Sequence, residues 1–162
     1  MGVFKEKITL ANAGDKVRVE CGLLKEIRTL TIEAMPDTGA WTLVINEDTR
    51  RRLGLAVEET SKSTLADGKT DTCGVTEGVK IWWKNRSIVL PAVVVPDAKD
   101  ILLGALPLEV MDLMVDPVHE RLVGVHGDQP LHVLYGVTVN GGPRLHGKIH
   151  SHKGNDCGVV SF

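Results

Sequence analysis

The sequence predicts a mostly β, closed barrel-like domain with one or two short helices. Three observations carry this expectation. Apolar and polar residues alternate in short runs, as at residues 27–34. Turn signals recur at close spacing, and glycine is common, at 17 of 162 residues. The best helical pattern, residues 46–53, is barely two turns long.

Val3, Ile8 and Leu10 begin a strand, which a turn at Asn12-Ala13-Gly14-Asp15 closes. Val17 and Val19 alternate with Lys16, Arg18 and Glu20, a half-exposed strand pattern. Residues 27–34 place Arg28, Leu30, Ile32 and Ala34 on one face and run straight into Met35-Pro36-Asp37-Thr38-Gly39-Ala40. Leu43-Val44-Ile45 is another short apolar strand. For the helix at 46–53, Asn46 can cap the start, Glu47 and Asp48 occupy the first turn, and Arg50, Arg51 and Arg52 lie near the end. Gly54 supplies the stop. The three arginines read as a solvated helix end rather than a basic patch.

Asp67-Gly68 between two strand-like runs signals a hairpin. Residues 79–83 and 87–95 form another, turning at Lys84-Asn85-Arg86, with Pro91 marking an edge or a bulge. Ile101-Leu102-Leu103-Gly104 is a buried strand ending in glycine. Pro107 opens a short helix to Met111 as its first residue. Residues 114–117 and 121–125 close the domain as a hairpin. Residues 131–139 could add a strand. The segment 141–158 has no periodicity, so residues 1–126 are expected to form the domain and 127–162 a partly flexible extension.

Composition narrows the function. Hydrophobic residues at 43% and charged residues at 25% are those of an ordinary globular protein. A net charge of −2 gives no electrostatic reason to expect nucleic acid or an anionic membrane as partner. Cys21, Cys73 and Cys157 show no metal-ligand spacing and read as reduced thiols. The first ten residues lack the apolar core of a signal peptide, and no apolar run is long enough to span a bilayer, so a cytoplasmic protein is the default. His146, His150 and His152 cluster in the extension without a completing carboxylate or cysteine, so no metal site is expected.

The chemistry lies at 36–40. Asp37 places a carboxylate at a sharp turn after an apolar strand, Thr38 offers a hydroxyl to fix the loop, and Gly39 allows a close approach. The apolar strand 43–45 follows at once, the Asp67-Gly68 hairpin lies 30 residues on, and Leu102-Leu103-Gly104 precedes a helix.

That order resembles the retropepsin-like aspartic proteases, the single-lobed group that includes retroviral proteases and small bacterial relatives. The matching residues are Pro36-Asp37-Thr38-Gly39-Ala40, Leu65-Ala66-Asp67-Gly68-Lys69, and Ile101-Leu102-Leu103-Gly104 with its helix. The stretch 113–124 is similar to the closing strands of the bacterial members, and the likeness covers residues 3–126. It implies an acid-protease-type β-barrel, single-lobed and dimeric, acting as an aspartic endopeptidase on a peptide or protein substrate, without a cofactor. By the same resemblance Asp37 is catalytic, and Thr38, Gly39 and Ala40 complete its loop. Ala66, Asp67 and Gly68 form a flap over substrate, and Leu102, Leu103 and Gly104 support the site from the second half. One feature argues for the dimer directly: this chemistry needs two carboxylates around one water, and the chain holds a single Asp-Thr-Gly.

Three residues depart from the family pattern. Pro36 removes a backbone donor just before Asp37. Trp41 stands where many relatives carry a small polar residue, and for a lone tryptophan buried packing is the expected use, ahead of a place in a substrate pocket. Ala105 replaces an arginine usual in retroviral enzymes. Two other readings compete: a non-catalytic module using this fold for dimerisation or peptide binding, which Pro36 favours, and metal binding through the histidine tail.

Overall fold

The computed structural model describes residues 4–64 and 70–127. Nine strands and three short helices are formed there: β1 (Glu6–Asn12), α1 (Asp15–Glu20), β2 (Thr29–Pro36), β3 (Leu43–Ile45), α2 (Glu47–Leu53), β4 (Val57–Thr64), β5 (Thr70–Trp83), β6 (Arg86–Val94), β7 (Ile101–Leu103), α3 (Ala105–Val110), β8 (Leu113–Asp116) and β9 (Arg121–Gly124). Strands β1, β2, β7, β3, β6 and β5 neighbour one another in that order, and β5 pairs back onto β1. The result is the expected closed barrel, of six strands and mixed direction. Pairs β2–β7 and β3–β6 are parallel and the others antiparallel. β4 hangs from β5 outside the ring.

Alternation along the strands fills the interior. Ile8, Leu10, Leu43, Ile45, Val79, Ile81 and Leu103 are all buried, while Thr29, Thr31 and Glu33 of β2 face out. β5 is one continuous 14-residue strand where the sequence reads as two runs. Its first half pairs with β4, its second with β1 and β6. The β5–β6 register slips between Val75 and Gly78, beside Pro91. Since β6 lies between β3 and β5, Pro91 marks a bulge, not an edge. Thr76, buried at that bulge, accepts the Ala92 N–H on its hydroxyl oxygen (3.1 Å).

α2 has the caps its sequence announces. Asn46 Oδ1 accepts the Thr49 N–H (2.9 Å), and Gly54 takes the left-handed conformation, φ 58°. Two expectations fail. Residues 15–20 form α1, not a strand. Its one-turn spacing lets Arg18 Nη1 reach Asp15 Oδ1 (2.9 Å), a contact that strand alternation would forbid. Pro107 is the third residue of α3, not the first. A helix leaves its first amides without internal partners, so proline is accommodated there as well.

A polar cluster ties α1 to the barrel. The Asp15 side chain is fully buried and accepts from Arg28 Nη2 (2.6 Å), Arg28 Nε (2.8 Å), the Arg28 N–H (3.0 Å) and Arg18. Arg18 Nη2 reaches Glu77 (3.0 Å), and Asn12 Nδ2 donates to Glu77 (2.9 Å) and to the carbonyls of Leu53 and Gly54. Hydrogen bonds from Arg28 hold the Asp15 carboxyl far below the usual range against its burial. At the other end of the barrel, Arg86, 3% exposed, donates to the carbonyls of Met111 (2.6 Å), Asp112 (2.8 Å) and Gly127, and to the Asp112 carboxylate (3.0 Å). It thereby fixes β8 against β6.

Candidate active site

β2 ends at Pro36, and the next residue carries the carboxylate. β7 runs between β2 and β3, with Met35 opposite Leu102 and Leu43 opposite Leu103. The Asp37 N–H donates to the Leu103 carbonyl (3.0 Å), so the ladder continues into the loop. By strand alternation the position of the Pro36 nitrogen points away from β7. On that other side the β1 pairing reaches only Ala34. Among the described residues the donor that proline lacks therefore has no partner to lose, and the Asp37 N–H bond to Leu103 forms despite Pro36.

The loop closes as a tight turn. The Ala40 N–H donates to the Asp37 carbonyl (3.1 Å), and the Gly39 N–H donates to Asp37 Oδ1 (2.9 Å). A Cβ on Gly39 would come within 3.1 Å of Asp37 Oδ1, so glycine leaves the carboxylate room. Asp37 is half-buried, and Thr38 and Gly39 are exposed.

Support comes from the second half of the chain through a device the sequence reading did not anticipate. The first two amides of α3 point at the loop: Ala105 N–H donates to the Ala40 carbonyl (2.8 Å) and Leu106 N–H to the Trp41 carbonyl (2.9 Å). Helix donors without internal partners thus bond the segment that follows Asp37, and the third position is the proline that has none. Gly104 makes this approach possible. A Cβ there would lie 2.3 Å from the Thr42 carbonyl oxygen and 2.7 Å from that of Ala40. Leu103 and Gly104 thus lie against the segment 37–42, while Leu102 sits in the sheet opposite Met35 and Val44. Ala66, Asp67 and Gly68 lie outside the described residues, although β4 and β5 lead to them.

Trp41 does not pack inside. It is 75% exposed, whereas Trp83 is buried. Beside Thr38 opens an apolar groove of about 480 Å³, walled by Ala105, Leu108, Leu113, Met114, Val115 and Val125, with Glu109 and Asp112 also on it. Asp112 is engaged elsewhere. Burial would raise its pKa, but hydrogen bonds from Arg86 and His126 outweigh this and lower it. Among the described residues no group of three His, Cys, Asp or Glu side chains could hold a metal ion, and no helix is long and apolar enough to cross a membrane. His146, His150, His152 and Cys157 fall outside the described residues.

A family profile described as aspartyl protease matches residues 17–105, more than half of the chain, and the chain belongs to that family. The span takes in both the Asp37 loop and Gly104. With its single lobe and single Asp-Thr-Gly, the chain is of the retropepsin-like kind. Among solved structures it is similar to the retroviral protease-like domain of Ddi1 from Leishmania major. That match has 17% identity and a TM-score of 0.48, and covers 76% of this chain and 84% of that one. It is also similar to a retropepsin-like aspartic protease from Rickettsia conorii, at 16% identity and a TM-score of 0.38, covering 72% of this chain and 89% of that one. A search of curated proteins gave no match.

Proposed function

We propose that the chain is an aspartic endopeptidase working as a homodimer, with one Asp37 from each copy at the two-fold axis. The observation that carries this reading is the loop itself: a lone Asp-Thr-Gly carboxylate held at a strand end, with Thr38 exposed on the rim of an apolar groove. An isologous dimer supplies the second carboxylate, because the same residue meets itself at the axis. Two carboxylates that close share one proton. The ionised one takes a proton from a bound water, which attacks the peptide carbonyl. The protonated one donates to the carbonyl oxygen, and a proton then passes to the leaving nitrogen. Thr38 would brace the two loops across the axis. The hairpin carrying Ala66, Asp67 and Gly68 would close over the substrate and exclude water. No step calls on a metal or organic cofactor.

Calorimetry with a statine-type transition-state mimic tests this, with molar mass followed by light scattering. The expected result is one inhibitor bound per two chains, and binding abolished in Asp37→Asn. Undiminished binding by Asp37→Asn, or a wild-type chain that stays a folded monomer at high concentration with the inhibitor present, would overturn the reading.

A further inference from the structure

We infer that a hollow on the outer wall of the barrel is a docking site for protein segments in which a bulky apolar side chain sits among acidic ones. It lies at the end where β1 stops, away from Asp37, and does not depend on the peptidase reading. The hollow encloses about 240 Å³, and its lining includes Ala11, Lys16, Ile27, Lys80, Trp82 and Val89. Strand alternation builds it. Val79, Ile81 and Trp83 of β5 are buried in the interior, so Lys80 and Trp82 belong to the outer face. Lys80 is the register partner of Ala11 on β1 and of Val89 on β6, so these three form one row across the wall. Alanine is the short member of that row and leaves the space open.

Three features specify the occupant. The first is charge. Lys16 and Lys80 line the hollow, no carboxylate does, and neither lysine belongs to an ion pair among the described residues. Arg18 and Arg28, at the same end of the barrel, are by contrast taken up by Asp15 and Glu77. Lys80 Nζ stands 4.9 Å from the centre of the Trp82 ring, which holds the cation at the apolar wall. The second feature is apolar surface left to water: Ile27 is 41% exposed, Val89 is 51% exposed, and Trp82 is half-buried. The third is size. The volume is below the roughly 300–1,000 Å³ of sites that enclose a small molecule, and suits one large side chain acting as an anchor. An acidic segment with a bulky apolar residue meets all three.

The segment binds through its side chains. β1 lies between β2 and β5, the second half of β5 between β1 and β6, and β6 between β5 and β3, so no backbone edge is free here to accept a strand. Ala11 pairs with Thr29, and Asp37 lies eight residues further along, about 25 Å of strand at about 3.3 Å per residue. A segment docked in the hollow therefore leaves the Asp37 loop uncovered.

The test is fluorescence anisotropy with the full Asp37→Asn chain, which keeps every probe uncut. The probes are labelled synthetic peptides with Leu, Phe or Trp at the centre and Asp and Glu on both sides. The expected result is saturable binding that weakens several-fold as salt rises from about 0.05 M to about 0.5 M. Peptides with Lys in place of the acids, or Ala in place of the central residue, should not bind. Lys16→Glu together with Lys80→Glu should weaken binding about tenfold or more, because like charges then face each other. Ile27→Glu should do the same, with thermal unfolding close to that of the parent chain. Peptides that all fail to bind, or binding unchanged in these variants, overturns the inference. So does a molar mass that falls in the double lysine variant, which would give the hollow to a second copy. Phosphatidylglycerol vesicles bound in preference to the peptides would give it to a membrane and overturn it as well. Failure of the inhibitor experiment above leaves this inference standing, and its own failure leaves the peptidase reading standing.

Discussion

At the end of the barrel where β1 stops, Asn12, Asp15, Arg18, Arg28 and Glu77 meet one another's hydrogen-bonding needs. At the end where β2 stops, Thr38, Gly39 and Trp41 face solvent beside an open apolar groove. The first region buries a carboxylate completely and surrounds it with two guanidinium groups. The second leaves a carboxylate half-buried, with a single N–H donating to it among the described residues. Polar groups that are satisfied within one chain serve the fold. Polar and apolar groups left waiting on a rigid support indicate where something else binds.

Breaking the closed end should have the largest effect on stability. Asp15→Ala leaves Arg28 and Arg18 without their shared partner. The expected cost is about 3 kcal/mol, low in the range for a broken buried pair because both arginines keep a third of their side chains exposed. Urea denaturation at pH 7 measures it, and a loss under about 1 kcal/mol would deny Asp15 its role. The pH dependence has a definite sign. The folded-state pKa of Asp15 is depressed, so its contribution is complete above the unfolded carboxylate value of about 3.9 and is lost as pH falls below it. Glu47, lowered to about 2 by its hydrogen bonds to Arg50 and Arg51, acts in the same direction. Wild type should therefore weaken steadily from pH 5 to pH 2, and Asp15→Ala should weaken less over that interval.

Gly104→Ala sharpens the comparison from the other side. The new methyl group meets backbone atoms of Ala40 and Thr42, which cannot rotate away, so the loop must shift. Overpacking of this kind costs about 1–3 kcal/mol. Inhibitor binding should suffer more than stability does, since the displaced segment carries Asp37. Equal binding by a folded Gly104→Ala chain would show that the loop tolerates movement. Met114→Glu should have the smallest effect on the fold, within about 0.5 kcal/mol in thermal unfolding, because Met114 is 49% exposed in one chain. On the two-copy reading Thr38 lies at the axis and the groove beside it adjoins the partner, so the charge placed there should leave monomers in light scattering. A Met114→Glu chain that stays dimeric would remove the groove from the interface.

Much of this was legible in the sequence, for reasons that are local. Alternation gave most of the strands, Asn46 and Gly54 bracketed α2, and Lys84-Asn85 marked the turn between β5 and β6. The Asp37 loop and Gly104 could be paired because each has its own short signature. What escaped notice depends on partners far along the chain. Val17 and Val19 alternate like a strand, yet Asp15 reaches Arg28 and Arg18 reaches Glu77, contacts no local pattern reports. Pro36 looked damaging because its neighbours in the sheet were unknown, and β1 pairing stops short of it. The assumption that Trp41 is buried followed the habit of tryptophans in general, and the structure leaves it exposed on a backbone whose carbonyl is held by Leu106, far along the chain. Arg86 gave no sign of being the residue that anchors β8.

The seam between β1 and β5 has a consequence of its own. It completes the ring within a single polypeptide, so the apolar interior is filled by residues of one copy alone. On the two-copy reading, a subunit whose core is complete on its own is still an inert half until it meets a second. When chains are scarce, the number of working units would rise with the square of the amount made. Doubling expression would quadruple the cutting, a dose threshold set by mass action alone.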